Sequence, residues 1–397
     1  MALPERDSPL RILHCPLNVV GQSAALAAAQ RELGADARCI VIEESGHGMR
    51  ADACLTQPGD GLLAREMARY RILWQAMRWA DVVHFGFGQS CLVPNAFPGF
   101  GDLSWRQPWR WPVRLYSRLI WLKDLPLLRA MGKTLAVSWQ GDDARQHDRS
   151  LELFDISIAR ELGDTYYVPG SDEWKRRGID AFTRSGAKHY AFNPDLLHVL
   201  PESASFLPYS NVDVRSLVQR PPALDSNAPL IFTHAPSHRG AKGTAHVIAA
   251  VEQLRAEGLD FRFTLIEGLP HREAMARYAE CDVVVDQLLA GWYGGLAVEV
   301  MALGKPVIVY LRDGDLGFLD PAMRADLPHI PAQPVSIARA MRQVIAMPRP
   351  ALHALGLRSR AFVERWHDPL PLAAQTLADY EKARRGGACR TSSGASR

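Results

Sequence analysis

Short runs of β-branched and aliphatic residues alternate with longer stretches of helical periodicity along the whole chain, the pattern of parallel sheets covered by helices. In the first half RILHC, ARCIVIE, DVVHFG, TLAVSW and TYYVPG predict strands. Between the first two lies GQSAALAAAQRELG, from Gly21 to Gly34, alanine-rich and with a glycine just past its expected end. Strand, glycine turn, helix and strand make one βαβ unit. From Phe206 to Pro229 the chain turns to proline, serine and asparagine, which predicts a linker. A second series follows: PLIFTHAP, FRFTLIEG, DVVVDQ and KPVIVYL as strands, with helices between them. The helix predicted over Thr244 to Gly258 carries Val247, Ile248, Val251 and Leu254 as a core-facing stripe. In such doubly wound sheets ligands sit beyond the carboxyl ends of the strands, where loops feed helix N-termini.

Length strengthens the two-domain expectation, because 397 residues exceed what one compact core usually spans. The expected division is an N-terminal Rossmann-like domain over 9–212, a linker over 213–228, a second domain over 229–368, a helix over 369–385 and a disordered tail over 386–397. With 46 basic and 43 acidic side chains the formal charge is only +3. That excludes a nucleic-acid binder relying on a field over its whole surface and leaves room for a local basic patch. The six cysteines are scattered, with no CxxC pair and no zinc-like grouping, as expected of reduced thiols in a cytoplasmic protein. The opening MALPERDSPLRILHC has no apolar run suited to a signal peptide, and no stretch approaches the roughly 20 apolar residues of a membrane span. A soluble or peripheral protein is expected.

The chemistry concentrates in GWYGGLAVEVMALGKPVIVY. Gly294 and Gly295 stand where a strand turns into a helix, so backbone N–H groups there can approach a diphosphate. Glu299 lies about a turn further on. Upstream, THAPSHRGAKGT, Thr233 to Thr244, sets Arg239 and Lys242-Gly243 at the first strand-to-helix turn of this domain. The alternative for each is bland: Glu299 facing solvent, the glycines serving packing, Lys242 solvated on a loop.

These residues resemble the donor domain of GT-B-fold glycosyltransferases, closest to the retaining group called glycosyltransferase family 4. That pattern has a glutamate, an aromatic-glycine turn, a second glutamate and a small-residue helix ending in G-x-PV, matched here by Trp292, Tyr293, Gly294, Gly295, Glu299, Met301, Ala302, Gly304, Pro306 and Val307. The resemblance implies two Rossmann-like domains facing a cleft, with the C-terminal helix returning to the N-terminal domain. It gives Glu299 the ribose hydroxyls, and Lys242 and Arg239 the donor diphosphate, whose growing negative charge a cation must stabilise. No metal is then required and no resident cofactor is implied; the nucleotide-sugar is substrate. The family's first glutamate falls at Gly291, so the contact with the transferred sugar is altered, and Asp286 at the end of DVVVDQ is a candidate substitute. Gly268 runs straight into LPHREAMARYAEC where relatives have one more helix and strand, which changes the base-reading loop.

The N-terminal half would carry the acceptor. Gly21-Gln22 resembles a glycine turn reaching the donor phosphates across the cleft. His84 ends the strand DVVHFG, and QGDDAR, Gln140 to Arg145, follows TLAVSW. Relatives often have His-Gly-x-Asp-x-Arg there; Gln140 replaces the histidine, while Gly141, Asp143 and Arg145 are kept. A glutamine is no general base near neutral pH, and retaining relatives are thought to use the donor's own phosphate oxygen. Asp142 and Asp143 read equally well as acceptor-side groups or, blandly, as a helix cap or a partner of Arg145. From Phe100 to Lys133 arginines recur every fourth residue from Arg106 to Arg118, among Trp105, Trp109, Trp111 and Trp121. That composition describes either an element on an anionic membrane surface at its cytoplasmic face or a helix packed on its own domain, and Pro108 and Pro112 interrupt it.

The implied activity is sugar transfer from a nucleotide diphosphate to a saccharide or lipid-linked acceptor, with retention, in cell-envelope or exopolysaccharide synthesis. A nucleotide-sugar epimerase of the same fold and a catalytically silent binding relative are the two other readings.

Overall fold

The computed structural model describes residues 8–44, 50–92, 111–225 and 227–393. Seven parallel strands form the first sheet: β1 Arg11–Cys15, β2 Asp36–Val41, β3 Ala53–Cys54, β4 Val82–Phe85, β5 Thr134–Trp139, β6 Lys188–Ala191 and β7 Ser205–Phe206, in the order β3-β2-β1-β4-β5-β6-β7. Five more form the second: β8 Leu230–His234, β9 Phe261–Leu265, β10 Val283–Val285, β11 Val307–Val309 and β12 Ile330–Pro331, in the order β12-β11-β10-β8-β9. Two doubly wound parallel sheets are thus present, as expected. Strands such as RILHC and VVHF are buried almost throughout because helices cover both faces.

The order of the second sheet decides where its site lies. The chain adds β9 on one side of β8, then returns to add β10 on the other. Loops after β8 and β10 therefore emerge side by side at a switch point, where the crevice of an open α/β sheet forms. Leu288 donates its backbone N–H to the Lys242 carbonyl at 3.2 Å and ties these loops together.

Several elements differ from expectation. TYYVPG is no strand: a 3-10 turn, Gly163–Thr165, leads into Tyr166 and Tyr167, whose rings serve the contact between the domains instead. The strand beside β5 is KHYA, β6, reached only after helix Ser171–Arg184. The helix Thr244–Ala256 buries Val247, Val251 and Leu254 as predicted, with Ala250, while Ile248 is only half-buried. The last helix, Pro369–Ser393, runs eight residues past its expected end at 385, and 394–397 of the expected tail lie outside the described residues. It packs on helix Gln22–Glu32 of the first domain, where Gln30 donates to Thr376 at 2.9 Å and Tyr190 to Asp379 at 2.9 Å.

The domains also meet through an apolar cluster joining Ile158, Ala159 and Tyr167 to Ala241, Leu289 and Ala290. Polar contacts reinforce it, with His246 and Glu161 2.8 Å apart and Tyr166 edge-on to His238. Cys15, Cys39, Cys54, Cys91 and Cys281 are unbridged. No helix among the described residues is long and apolar enough to cross a membrane.

Candidate functional site

Asp286 leaves the end of β10 fully buried. Its Oδ2 accepts from the Gly294 N–H at 2.9 Å, and its Oδ1 lies 3.6 Å from Lys242 Nζ. Gln287 completes the arrangement: Oε1 accepts from Lys242 Nζ at 2.5 Å, and the amide nitrogen donates to the Trp292 carbonyl. Asp286 and Gln287 together fold the glycine turn back over the lysine. The approach is tight, since a Cβ on Gly294 would stand 3.3 Å from Lys242 Nζ and the ammonium would have to give way by a few tenths of an ångström. Trp292 and Tyr293 are buried anchors, with Tyr293 stacked between Trp292 and His329 at 4.3 and 4.4 Å.

The helix Gly295–Ala302 begins at this turn, directing its N-terminal N–H groups and dipole towards the lysine side. Across from it stand residues of the first domain. A Cβ on Gly295 would lie 3.2 Å from Val20 and 3.3 Å from the Asn211 amide. Val20 holds φ 55, an unfavourable value for a β-branched side chain, followed by Gly21 at φ 73. Asn211 is buried, and neither its amide nitrogen nor its oxygen has a partner. An orphaned amide costs about 1–3 kcal/mol unless something satisfies it. Lys242, Gly294, Gly295, Val20-Gly21 and Asn211 therefore border one small region between the domains.

Glu299 is buried on the same helix, and one carboxylate oxygen accepts from His271 Nε2 at 2.8 Å. This hydrogen bond is the first cause raising the His271 pKa above its ordinary value, against a smaller opposing effect of burial. The bland reading of Glu299 as a solvated side chain does not hold.

Arg239 is placed otherwise than expected. Its guanidinium is exposed and bound to Glu267 at 2.8 and 2.5 Å, because the loop after β8 turns it outward while Lys242 turns in. Gln22 is also committed elsewhere: both ends of its buried amide hold Ser210, at 2.6 and 2.8 Å, so it fastens the first helix to the segment before the linker. Gly243, at φ 73, lets the short helix Arg239–Lys242 pass directly into Thr244–Ala256.

At Gly291 the structure explains the missing carboxylate. The residue has φ 81, and a Cβ would stand 2.5 Å from the guanidinium of Arg312. Arg312 is held there by Asp315 at 2.6 Å, the Ile156 carbonyl at 3.0 Å and the face of Phe154 at 3.6 Å. A cation fills the place of the expected glutamate, and Asp286, occupied with Lys242 and Gly294, is a positioning residue.

On the acceptor side the structure moves His84 out of the cleft. It is buried against Tyr380 and Ser138, at 2.5 and 2.7 Å, and burial, then the neighbouring His14, holds its pKa well below the ordinary value. β4 runs one residue past His84 and is covered on both faces, so it buries that side chain, hence the misplacement. Asp143 caps its own turn, accepting from Gln140 N at 3.0 Å and Gly141 N at 2.7 Å; burial pushes its carboxyl up to about 7. Arg145, half-buried, forms a two-pronged pair with the buried Asp195, at 2.7 and 3.2 Å. The Gln140 amide nitrogen is buried without a partner. Asp142 accepts from Tyr166 at 2.5 Å. Among the described residues no group of three or more His, Cys, Asp or Glu is arranged around a metal position.

Sequence reasoning passed over Gln287, His271, Asn211 and Arg312. Gln287 alone carried a signal, as the neighbour of Asp286 at the strand end; the others arrive from distant segments.

No protein-family model matches the chain, and no curated protein matches it. Solved structures do. Sucrose-phosphate synthase from Thermosynechococcus elongatus is similar with a TM-score of 0.56 at 12% identity, covering 94% of this chain and 98% of that one. HepE of Anabaena, solved in complex with UDP-glucose, gives 0.52 at 13% identity, over 93% and 99% of the two chains. A glycosyltransferase from Rickettsia africae gives 0.52 at 12%, over 95% and 99%. Such likeness establishes the architecture: two Rossmann-like domains paired as in the GT-B fold over nearly the whole chain.

Proposed function

We propose that this chain is a glycosyltransferase moving a sugar from a nucleotide diphosphate to a saccharide or lipid-linked acceptor, with retention, in cell-envelope or exopolysaccharide synthesis. The observation that carries the reading is Lys242, folded against Gly294 by Asp286 and Gln287 at the start of helix Gly295–Ala302. A buried acid beside that lysine fixes its place. The departing diphosphate gains charge as the sugar bond breaks, and a preorganised ammonium with helix N–H groups stabilises that charge. Glu299, with one oxygen fixed by His271, presents the other to the ribose hydroxyls. Asn211 supplies the amide that meets the donor from the other domain. Gln140 cannot take the acceptor proton near neutral pH, so a donor phosphate oxygen takes it. Nearest the transferred sugar, Arg312 replaces a carboxylate acceptor with guanidinium donors, which changes the class of sugar substituent favoured there.

Incubation with a panel of nucleotide-sugars and no acceptor tests the activity. Slow release of nucleoside diphosphate with an unaltered sugar is expected. A released epimer would instead assign the chain to epimerases, and binding without turnover over hours would make it a silent relative.

A further inference from the structure

The outer face of helix Leu62–Arg78 is apolar where a solvated helix would be polar. Leu63, Met67 and Trp74 are 76%, 51% and 57% exposed, with Tyr70 between them. Their spacing puts all four on one side. Ala68, Ile72, Leu73 and Ala76 on the opposite side already fill the core of the first domain, so the outer row is not needed for folding. Helix Trp111–Ile120 lies alongside, joined by the Tyr70 and Tyr116 hydroxyls at 2.6 Å, and exposes Leu115 and Leu119 at 61% and 63%. Isolated exposed leucines are ordinary, but a contiguous patch of this kind marks an interaction surface.

The exposed charge over 62–78 and 111–131 is of one sign. Arg71 and Arg78 flank the first helix, Arg118, Lys123 and Arg129 follow the second, and all five are exposed. Arg78 stands 5.0 Å from the Trp74 ring centroid, so cation and aromatic are presented together. The only acids over 62–78 and 111–131 are Glu66 and Asp124. Glu66 pairs with Arg69 and accepts from Tyr116 at 3.2 Å, while Asp124 is buried. A second copy docking symmetrically would set arginine rims against one another. Anionic headgroups would complement them, with leucine, methionine and tryptophan entering the boundary below.

We propose that this face, built on helix Leu62–Arg78 and extended by Trp111–Ile120, seats the protein on an anionic bilayer surface. Nothing in the proposal depends on the glycosyltransferase reading. The sequence pointed only to 100–133. Of its tryptophans Trp121 instead packs on Trp174 at 4.5 Å, 100–110 lie outside the described residues, and helix Leu62–Arg78 supplies the principal contact.

Flotation with phosphatidylcholine vesicles, with and without phosphatidylglycerol, is the test. Wild type should float with the anionic vesicles at low salt and release at high salt. The Leu63→Ser/Met67→Ser/Trp74→Ser variant should partition roughly a hundredfold less. Arg71→Gln/Arg78→Gln should lose roughly tenfold and much of the salt dependence. Thermal melts matching wild type would establish that the variants fold, and the charge variant keeps the test decisive if the triple variant does not. Wild type left unfloated, or triple variant and charge variant floating as it does, would overturn the proposal. So would a vesicle-free dimer that the triple variant turns into monomer, since a second copy would then cover the face.

Discussion

Lys242→Ala is expected to slow nucleoside diphosphate release about a thousandfold, the scale of losing one preorganised group that stabilises transition-state charge. The same change should cost roughly 3–5 kcal/mol of stability, because Asp286 is left buried and charged with only the Gly294 N–H as partner. A double variant separates the two effects. Adding Asp286→Asn removes the stranded charge, so the urea midpoint should recover while turnover does not. Steady-state diphosphate release and urea denaturation on the same preparations read both quantities. Turnover within a few-fold of wild type in Lys242→Ala would remove the lysine from the chemistry.

Arg145→Ala is expected to have the opposite character. Its half-buried guanidinium grips the buried Asp195 through two hydrogen bonds, so truncation strands a buried carboxylate at roughly 3–5 kcal/mol. Adding Asp195→Asn should restore much of the midpoint. Turnover measured well below the midpoint should stay within a few-fold, because the pair holds the turn after β5 in place and does not face substrate. A large rise in acceptor KM at unchanged midpoint would return Arg145 to the acceptor site.

These contrasting expectations trace what was legible in the sequence. Strand and helix alternation survives in a single chain because each element declares its own periodicity, and the two-sheet architecture follows from it. Gly294, Gly295, Glu299 and Lys242 were legible because the turn and helix that hold them are local. Elsewhere local propensity misled. Tyr166, Tyr167 and Val168 favour a strand by composition, yet the two tyrosine rings are used between domains. His84 and Gln22 sit at a strand end and a helix start, positions that suit a ligand, and both instead bond within the fold. Arg312 reaches Gly291 from the loop after β11, held by Ile156 and Phe154 of the other domain, and His271 reaches Glu299 from a neighbouring helix. No spacing rule announces such contacts. The apolar row on helix Leu62–Arg78 was hidden for another reason: in a sequence, exposed leucine and tryptophan read as core.

The most direct test of the central claim is a crystal structure with a nucleoside diphosphate bound. A terminal phosphate oxygen should lie within hydrogen-bond distance of Lys242 Nζ, at the start of helix Gly295–Ala302, with the ribose hydroxyls on Glu299. A nucleotide seated elsewhere, with Lys242 still held only by Asp286 and Gln287, would contradict the account.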